Sequence, residues 1–407
     1  MTSVMSKRKS SRPTRKTTHI FVSPRLKDQI RLGHPWIYRD AVERSPAGLP
    51  SGAWVRVQSA NQQAVGLWDA HGPIAVRLFS QTALPDAAFI RTRVQAAWQR
   101  RAPLRAPERR TTAYRWLYGE SDGIPGVVAD LYGDAESGRQ WVALKTYSAS
   151  LARVSKWVVN AMQDVVSLAG VIDRSGEQWR LLAGAPPAGE IVISENGLRF
   201  AVDVLHGQKT GFFLDQRDNR ATAGEWSAGK RVLNLFSYTG GFSVYAAKAG
   251  AAQVVSVDSA PAAMATARHN FQLNGLGPAA HEFVVADVFD LLEKYHGEGK
   301  RFDLIIVDPP SFARSKSQTP QALKAYRRLN ALAMRCLAPG GMLAASSCTA
   351  QVSPETFRAT LADAAADAKR QFIIQHDAGQ PLDHPVAVNF PEGRYLKFML
   401  GQVTPRR

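Results

Sequence analysis

Apolar positions along this chain change their period three times. From His19 to about Ser80 they come as short runs that alternate with polar residues: Ile20 to Val22, Trp54 to Val57, Val65 to Trp68 and Val76 to Phe79. Glycine, proline and serine punctuate the runs, which predicts a small barrel-like all-β unit. Between Asp86 and Arg101 the period becomes helical, with Phe89, Ile90, Val94, Ala97 and Trp98 on one stripe. A mixed stretch follows, with a strand expected at Trp141 to Thr146, a helix at Leu151 to Val166 and a proline-bearing loop at Gly184 to Gly189. From Arg231 onward, strand-like runs at Val232 to Phe236, Gln253 to Val257, Phe283 to Val285, Phe302 to Val307 and Met342 to Ser346 alternate with helical segments. Those helices are expected near Phe242 to Ala249, Ala260 to Asn274, Pro320 to Leu337 and Pro354 to Ala368. Such alternation predicts βαβ units in a parallel, doubly wound sheet, with ligands gathered at the carboxyl ends of its strands.

At 407 residues the chain is too long for one hydrophobic core. The pattern divides it into a disordered basic tail (1–17), a small β domain (18–82), a central α+β domain (83–190) and an α/β domain (191–407). The net charge of +17 is unevenly spread, because residues 1–120 hold 21 Lys and Arg against 7 Asp and Glu. A basic excess confined to one region suits a phosphate backbone; a solvated face with a basic tail is the competing reading. The segment Arg91 to Arg115 adds eight arginines interleaved with Trp98, Tyr114 and Trp116. It is expected to touch RNA, with Arg91 and Arg93 on phosphates and the aromatic rings on bases. No apolar run is long enough to span a bilayer, which points to a cytoplasmic protein with no membrane partner. Cys336 and Cys348 stand in no metal-ligand spacing, so no metal is expected.

Chemistry concentrates at the predicted strand ends. The first strand runs into Phe236-Ser237-Tyr238-Thr239-Gly240-Gly241, a turn whose glycines let a bulky ligand approach the backbone. It is not a Gly-x-Gly-x-x-Gly fingerprint, which argues against a nicotinamide cofactor. Asp258 ends the second strand, placed to accept the ribose hydroxyls of an adenosine-containing cofactor, although a tight turn with a capping aspartate fits the same residues. Asp287 follows the third strand, where it could meet an adenine amino group. Asp308 ends the fourth, held by Pro309 and Pro310. The fifth strand delivers Ser346-Ser347-Cys348-Thr349 to the same face, which favours a reactive thiol, whereas Cys336 sits on a helical apolar stripe.

These residues resemble the bacterial large-subunit (23S) ribosomal RNA cytosine-C5 methyltransferases that begin with a PUA domain. Similar stretches are His34-Pro35-Trp36, Tyr118 to Gly126, Gly207 to Arg220, Ser237 to Gly241, Val307-Asp-Pro-Pro-Ser-Phe312, Ser347-Cys348, Asp383-His-Pro385 and Pro391-Glu-Gly393. The resemblance covers roughly residues 19–400, and only the basic tail lies outside it. It implies a PUA-like domain, a central domain and a Rossmann-like methyltransferase domain using S-adenosylmethionine. It also implies ribosomal RNA as partner, before full assembly of the subunit, and a possible homodimer. Cys348 would be the nucleophile and Asp308 its partner on the base. Phe312 would stack on a flipped cytosine, and Lys209 would lie on the substrate side. Asp215, Arg217 and Asn219 would border the cofactor pocket, an ion pair within the fold being an equal reading for Arg217. Two rivals stand beside this: an RNA base-nitrogen methyltransferase in which Cys348 only packs, and a non-catalytic RNA-binding assembly factor.

Overall fold

The computed structural model describes residues 18–406 apart from 278, 279 and 314, so the expected basic tail, residues 1–17, lies outside the described residues. The chain divides into two compact units. One holds the described residues up to Asp86 together with Ser148–Arg153; the other holds Ala87–Tyr147 and the described residues from Val154 onward.

In the first unit, β1 (Thr18–Val22), β2 (Trp36–Tyr38), β3 (Val42–Arg44), β4 (Trp54–Ser59), β5 (Gln62–Trp68) and β6 (Ile74–Ser80) accompany one short helix, α1 (Lys27–Arg31). They form a single sheet in the order β2-β6-β5-β4-β1-β3. Neighbours are antiparallel except β1 and β4, a parallel pair that alternation alone does not announce. Ile20, Val55, Val57 and Val76 supply its core. A Cβ on Gly66 of β5 would stand 2.4 Å from Val76 Cγ1, so the β5–β6 contact requires glycine there.

The second unit opens with α2 (Ala87–Arg100), whose stripe buries Ile90, Val94 and Ala97. A five-stranded sheet follows in sequential order: β7 (Ala113–Tyr118), β8 (Val127–Gly133), β9 (Gln140–Thr146), β10 (Gly170–Asp173) and β11 (Arg180–Gly184). Between β9 and β10 the chain forms α3 (Ala152–Val165), the crossover that lets those two strands run parallel. Here one expectation is corrected. Tyr114 and Trp116 are 1% and 0% exposed, and the Trp116 indole donates to the Val94 carbonyl, so neither ring can stack on a base. Arg101 is buried as well, its guanidinium forked onto Asp122 at 2.7 Å. These aromatic and basic residues build the core and its internal ion pairs.

The hairpin β12 (Ile191–Glu195) and β13 (Leu198–Val202) leads to α4 (Arg217–Glu225) and the main sheet. That sheet and its helices comprise β14 (Arg231–Leu235), α5 (Gly241–Lys248), β15 (Gln253–Asp258), α6 (Pro261–Leu273), β16 (His281–Val285), α7 (Val288–Gly297), β17 (Phe302–Val307), α8 (Thr319–Arg335), β18 (Leu337–Ser347), α9 (Pro354–Asp367), β19 (Arg370–Ala378) and β20 (Lys397–Pro405). The order is β16-β15-β14-β17-β18-β20-β19. The first five strands are parallel as the alternation predicts, and β20 inserts antiparallel between β18 and β19. Leu233 and Leu235 of β14 face a core filled by α7, α8 and α9, while Val232 faces the other, where α5 and α6 meet Tyr132 and Trp141 of the five-stranded sheet. Asp383, fully buried, ties β7 to α4: it takes the Arg217 fork at 3.0 and 2.8 Å and the Arg115 amide at 2.9 Å. The chain leaves β14 toward β15 and returns on the other side as β17, so a crevice opens at the carboxyl ends of β14 and β17. No helix among the described residues is long and apolar enough to cross a membrane.

Candidate functional site

An open cavity of about 240 Å³ lies in this crevice. Its lining comes from the ends of β14, β15, β17 and β18 and from the segment that precedes α4.

The turn after β14 is held in an unusual conformation. Phe236 and Tyr238 have left-handed φ of 57° and 46°, a state that costs a side chain on the order of 1 kcal/mol. Two bonds fix it: the Ser237 amide donates to the Val257 carbonyl, and the Tyr238 amide donates to Asp258 Oδ2, both at 2.9 Å. Gly240, φ 79°, is the N-cap of α5, and a Cβ there would press on Ala267 at 3.0 Å. This helix has no acid in its first turn, so its amino end offers N–H groups to an anionic part of a ligand. Thr239 Oγ1 is buried without a hydrogen-bond partner, a donor and acceptor that a ligand would satisfy. Asp258 accepts the Tyr238 and Ala260 amides through separate oxygens, which fixes a carboxylate on the cavity wall.

The same cavity carries a thiol and two further carboxyls. Asp308 accepts a hydrogen bond from Gln216 Nε2 at 2.9 Å. Burial, reinforced by the charge of Asp215, pushes its carboxyl up to about 7. Asp215 goes the other way: burial opposes its charge, but Lys209 at 2.9 Å, His384 and the Tyr395 hydroxyl hold it well below the ordinary carboxylate range. Two carboxyls in one cavity therefore differ in protonation, one fixed as an anion and one poised near neutrality. Cys348 lines the same cavity, its Sγ 3.9 Å from the Pro309 carbonyl. Burial pushes its thiol up to about 11, with Lys209 opposing and Asp308 reinforcing the shift. Cys336 is 0% exposed in the core beneath α8 and donates to the Leu292 carbonyl at 3.4 Å.

Of the residues singled out from sequence, the structure brings Cys348, Asp308, Phe236, Ser237, Tyr238, Thr239, Gly241, Asp258, Asp215 and Lys209 to the cavity. The others stand elsewhere. Arg217 is 1% exposed and forked onto Asp383, the ion pair within the fold that its sequence also allowed. Asn219 lies one layer back, donating to Gln216 Oε1 at 2.6 Å and so orienting the amide that meets Asp308. Asp287 is the N-cap of α7, accepting the Phe289 and Asp290 amides. Phe312 packs on Tyr326, ring centroids 4.8 Å apart. Arg91 pairs with Asp164 at 3.2 Å, and Arg93 covers the Phe89 ring. Gln208, Phe212, Phe213, Gln216 and Arg220 line the cavity without having been singled out, although all fall in the block Gly207 to Arg220. Among the described residues no group of three or more His, Cys, Asp or Glu could hold a metal ion.

Comparisons with known proteins agree with this layout. The profile of an S-adenosylmethionine-dependent methyltransferase family matches residues 123–385, and that of a PUA-like domain matches residues 20–81. A protein named ribosomal RNA large subunit methyltransferase I from Shewanella denitrificans is 38% identical over 94% of this chain and 99% of its own length. The protein of the same name from Aeromonas salmonicida is 37% identical over 92% of this chain and 96% of its own. Among solved structures, a protein of Streptococcus mutans assigned as a SAM-dependent methyltransferase superposes with TM-score 0.83 at 26% identity, covering 95% of this chain and all of that one. A methyltransferase solved with S-adenosylhomocysteine bound gives TM-score 0.84 at the same identity and coverage.

Proposed function

Because this chain belongs to the S-adenosylmethionine-dependent methyltransferases, we propose that it methylates carbon 5 of a cytosine in large-subunit ribosomal RNA, in the cytoplasm, through a covalent bond from Cys348 to the base. The observation that carries the reading is the shared cavity: a thiol and a carboxyl poised near neutrality line the same space as the turn after β14. Ribosomal RNA as substrate follows the names of relatives that align with more than nine-tenths of the chain.

The residues present suit the cofactor. Asp258 would take the ribose hydroxyls, the amino end of α5 the methionine carboxylate, and the unpartnered Thr239 hydroxyl a polar group of the same ligand. S-adenosylmethionine supplies a methyl group on a cationic sulfur. Cytosine carbon 5 is a poor nucleophile, so the protein must first enrich it. Attack of the Cys348 thiolate on carbon 6 forms an S–C bond and moves the ring electrons toward carbon 5, splitting one difficult step into two. Asp308, protonated near neutral pH, donates to N3 as negative charge gathers on the ring, and Gln216 keeps its carboxyl oriented. Once carbon 5 has bonded the transferred methyl group, a base takes its proton, the C–H electrons reform the double bond between carbons 5 and 6, and the S–C bond breaks to release the Cys348 thiolate.

Mass-spectrometric mapping of ribosomal RNA from cells with and without the gene tests this assignment. Loss of one 5-methylcytidine is the expected difference. Loss of a nitrogen-methylated nucleoside in its place would reassign the reaction and reduce Cys348 to a packing residue.

A further inference from the structure

Lys397 is a buried ammonium that carries no carboxylate. It is 2% exposed, and its Nζ donates to the carbonyls of Thr349 at 2.5 Å and Tyr395 at 2.8 Å. Other buried cations of this unit are matched: Arg101 forks onto Asp122, Arg217 onto Asp383 and Arg220 onto Glu195. Among the described residues Lys397 has no such partner. A charge taken from water without a counter-charge is costly, so its retention calls for something that uses it. The strand register shows what lies beside it. Antiparallel pairing of β18 and β20 sets Lys397 opposite Ser347, and its Nζ reaches the carbonyl of Thr349, so the ammonium brackets Cys348 from the neighbouring strand.

We propose that Lys397 is a positioning residue that holds positive charge behind Cys348 and favours its thiolate, an inference that rests on the covalent reading above. The step it assists is ionisation: the S–H bond breaks, both electrons stay on sulfur, and the proton leaves to solvent through the open cavity. Lys209, Asp308, Asp215 and Lys397 act on the thiol, and Tyr326 approaches it through its contact with the Ser347 hydroxyl. The two carboxyls oppose ionisation. Of the two lysines, Lys209 is already paired with Asp215, which leaves Lys397 as the cation not otherwise neutralised. Burial brings the Lys397 amine down to about 8, offset by Cys348 and reinforced by Arg394.

The test uses the full-length protein without RNA. Alkylation of Cys348 by iodoacetamide is followed across pH, with peptide mapping to count buried Cys336 separately. Lys397→Met is expected to slow alkylation of Cys348 roughly tenfold at about pH 7, where the amine still carries its proton, and Lys397→Arg to restore most of the rate. An unchanged profile in Lys397→Met, with S-adenosylmethionine binding intact, overturns the proposal. A second measurement uses the titration of the lysine itself: the ratio of wild-type to Lys397→Met alkylation rates at Cys348 is followed as pH rises through the Lys397 midpoint. The ratio should fall toward one as the amine loses its proton at about pH 8, and a ratio that stays constant across that range would also overturn the proposal. Neither readout involves methyl transfer, so failure of the carbon 5 assignment is scored separately in the ribosomal RNA map.

Discussion

The carboxyl of Asp308 is a single group whose burial costs stability once it ionises. Its folded-state value of about 7 lies above the ordinary aspartate value of 3.8. Between those limits the folded chain binds more protons than the unfolded one, so stability falls as pH rises from about 4 to 7. Asparagine keeps the shape and can still accept from Gln216 Nε2, but it does not ionise. Asp308→Asn is therefore expected to be more stable than the wild type at pH 8, by on the order of 3 kcal/mol, with the advantage shrinking toward pH 4. Urea denaturation across that range measures it, and a pH-independent difference would contradict the assignment. At this scale the strand ends were the legible part. Phe236 to Gly241, Asp258, Asp308 and Cys348 each follow an apolar run, and a strand ending in a parallel sheet delivers its next residue to the ligand face. The block Gly207 to Arg220 was harder to resolve residue by residue. Asp215 and Gln216 lie in a 3-10 turn facing the cavity, whereas Arg217 begins α4 and turns inward to Asp383. Spacing alone does not say where that rotation starts.

At the scale of elements, the alternation of strands and helices foretold the five parallel strands and four of the helices packed on them. It did not foretell α7, the β12–β13 hairpin or the antiparallel β19 and β20. The β19 strand alternates half-buried and exposed residues, a weak signal beside the continuous apolar runs of β14 and β17. Yet β20 supplies Lys397, and the segment leading into it supplies Tyr395, so the overlooked pair backs the cavity. Its fit depends on Gly401. A Cβ there would stand 2.1 Å from the Ile373 carbonyl oxygen, a backbone atom that cannot swing aside. Gly401→Ala is expected to separate β19 from β20 and to cost about 1–3 kcal/mol or more, read as a lower urea midpoint with accelerated amide exchange confined to β18–β20. Equal stability would mean that the β19–β20 register is wrong.

For the whole molecule, composition and pattern together indicated a chain of several domains with its basic excess near the amino end, and the comparisons place a PUA-like domain there. The same basic composition misled where Tyr114, Trp116 and Arg101 were concerned. Local sequence cannot distinguish an arginine facing phosphate from one forked onto Asp122 inside the core. Under the function proposed above, the chain as a whole captures a base covalently through Cys348, in a cavity assembled from four strand ends and the segment before α4. The direct measurement is trapping with substrate RNA that carries 5-fluorocytosine. Fluorine at carbon 5 cannot leave as a proton, so the thioether to carbon 6 should persist once the methyl group has been transferred. The account predicts a denaturation-resistant protein–RNA adduct that requires S-adenosylmethionine for full yield, maps to Cys348, disappears in Cys348→Ala and persists in Cys336→Ala. Undiminished methyl transfer by Cys348→Ala, with no adduct in the wild type, would contradict it.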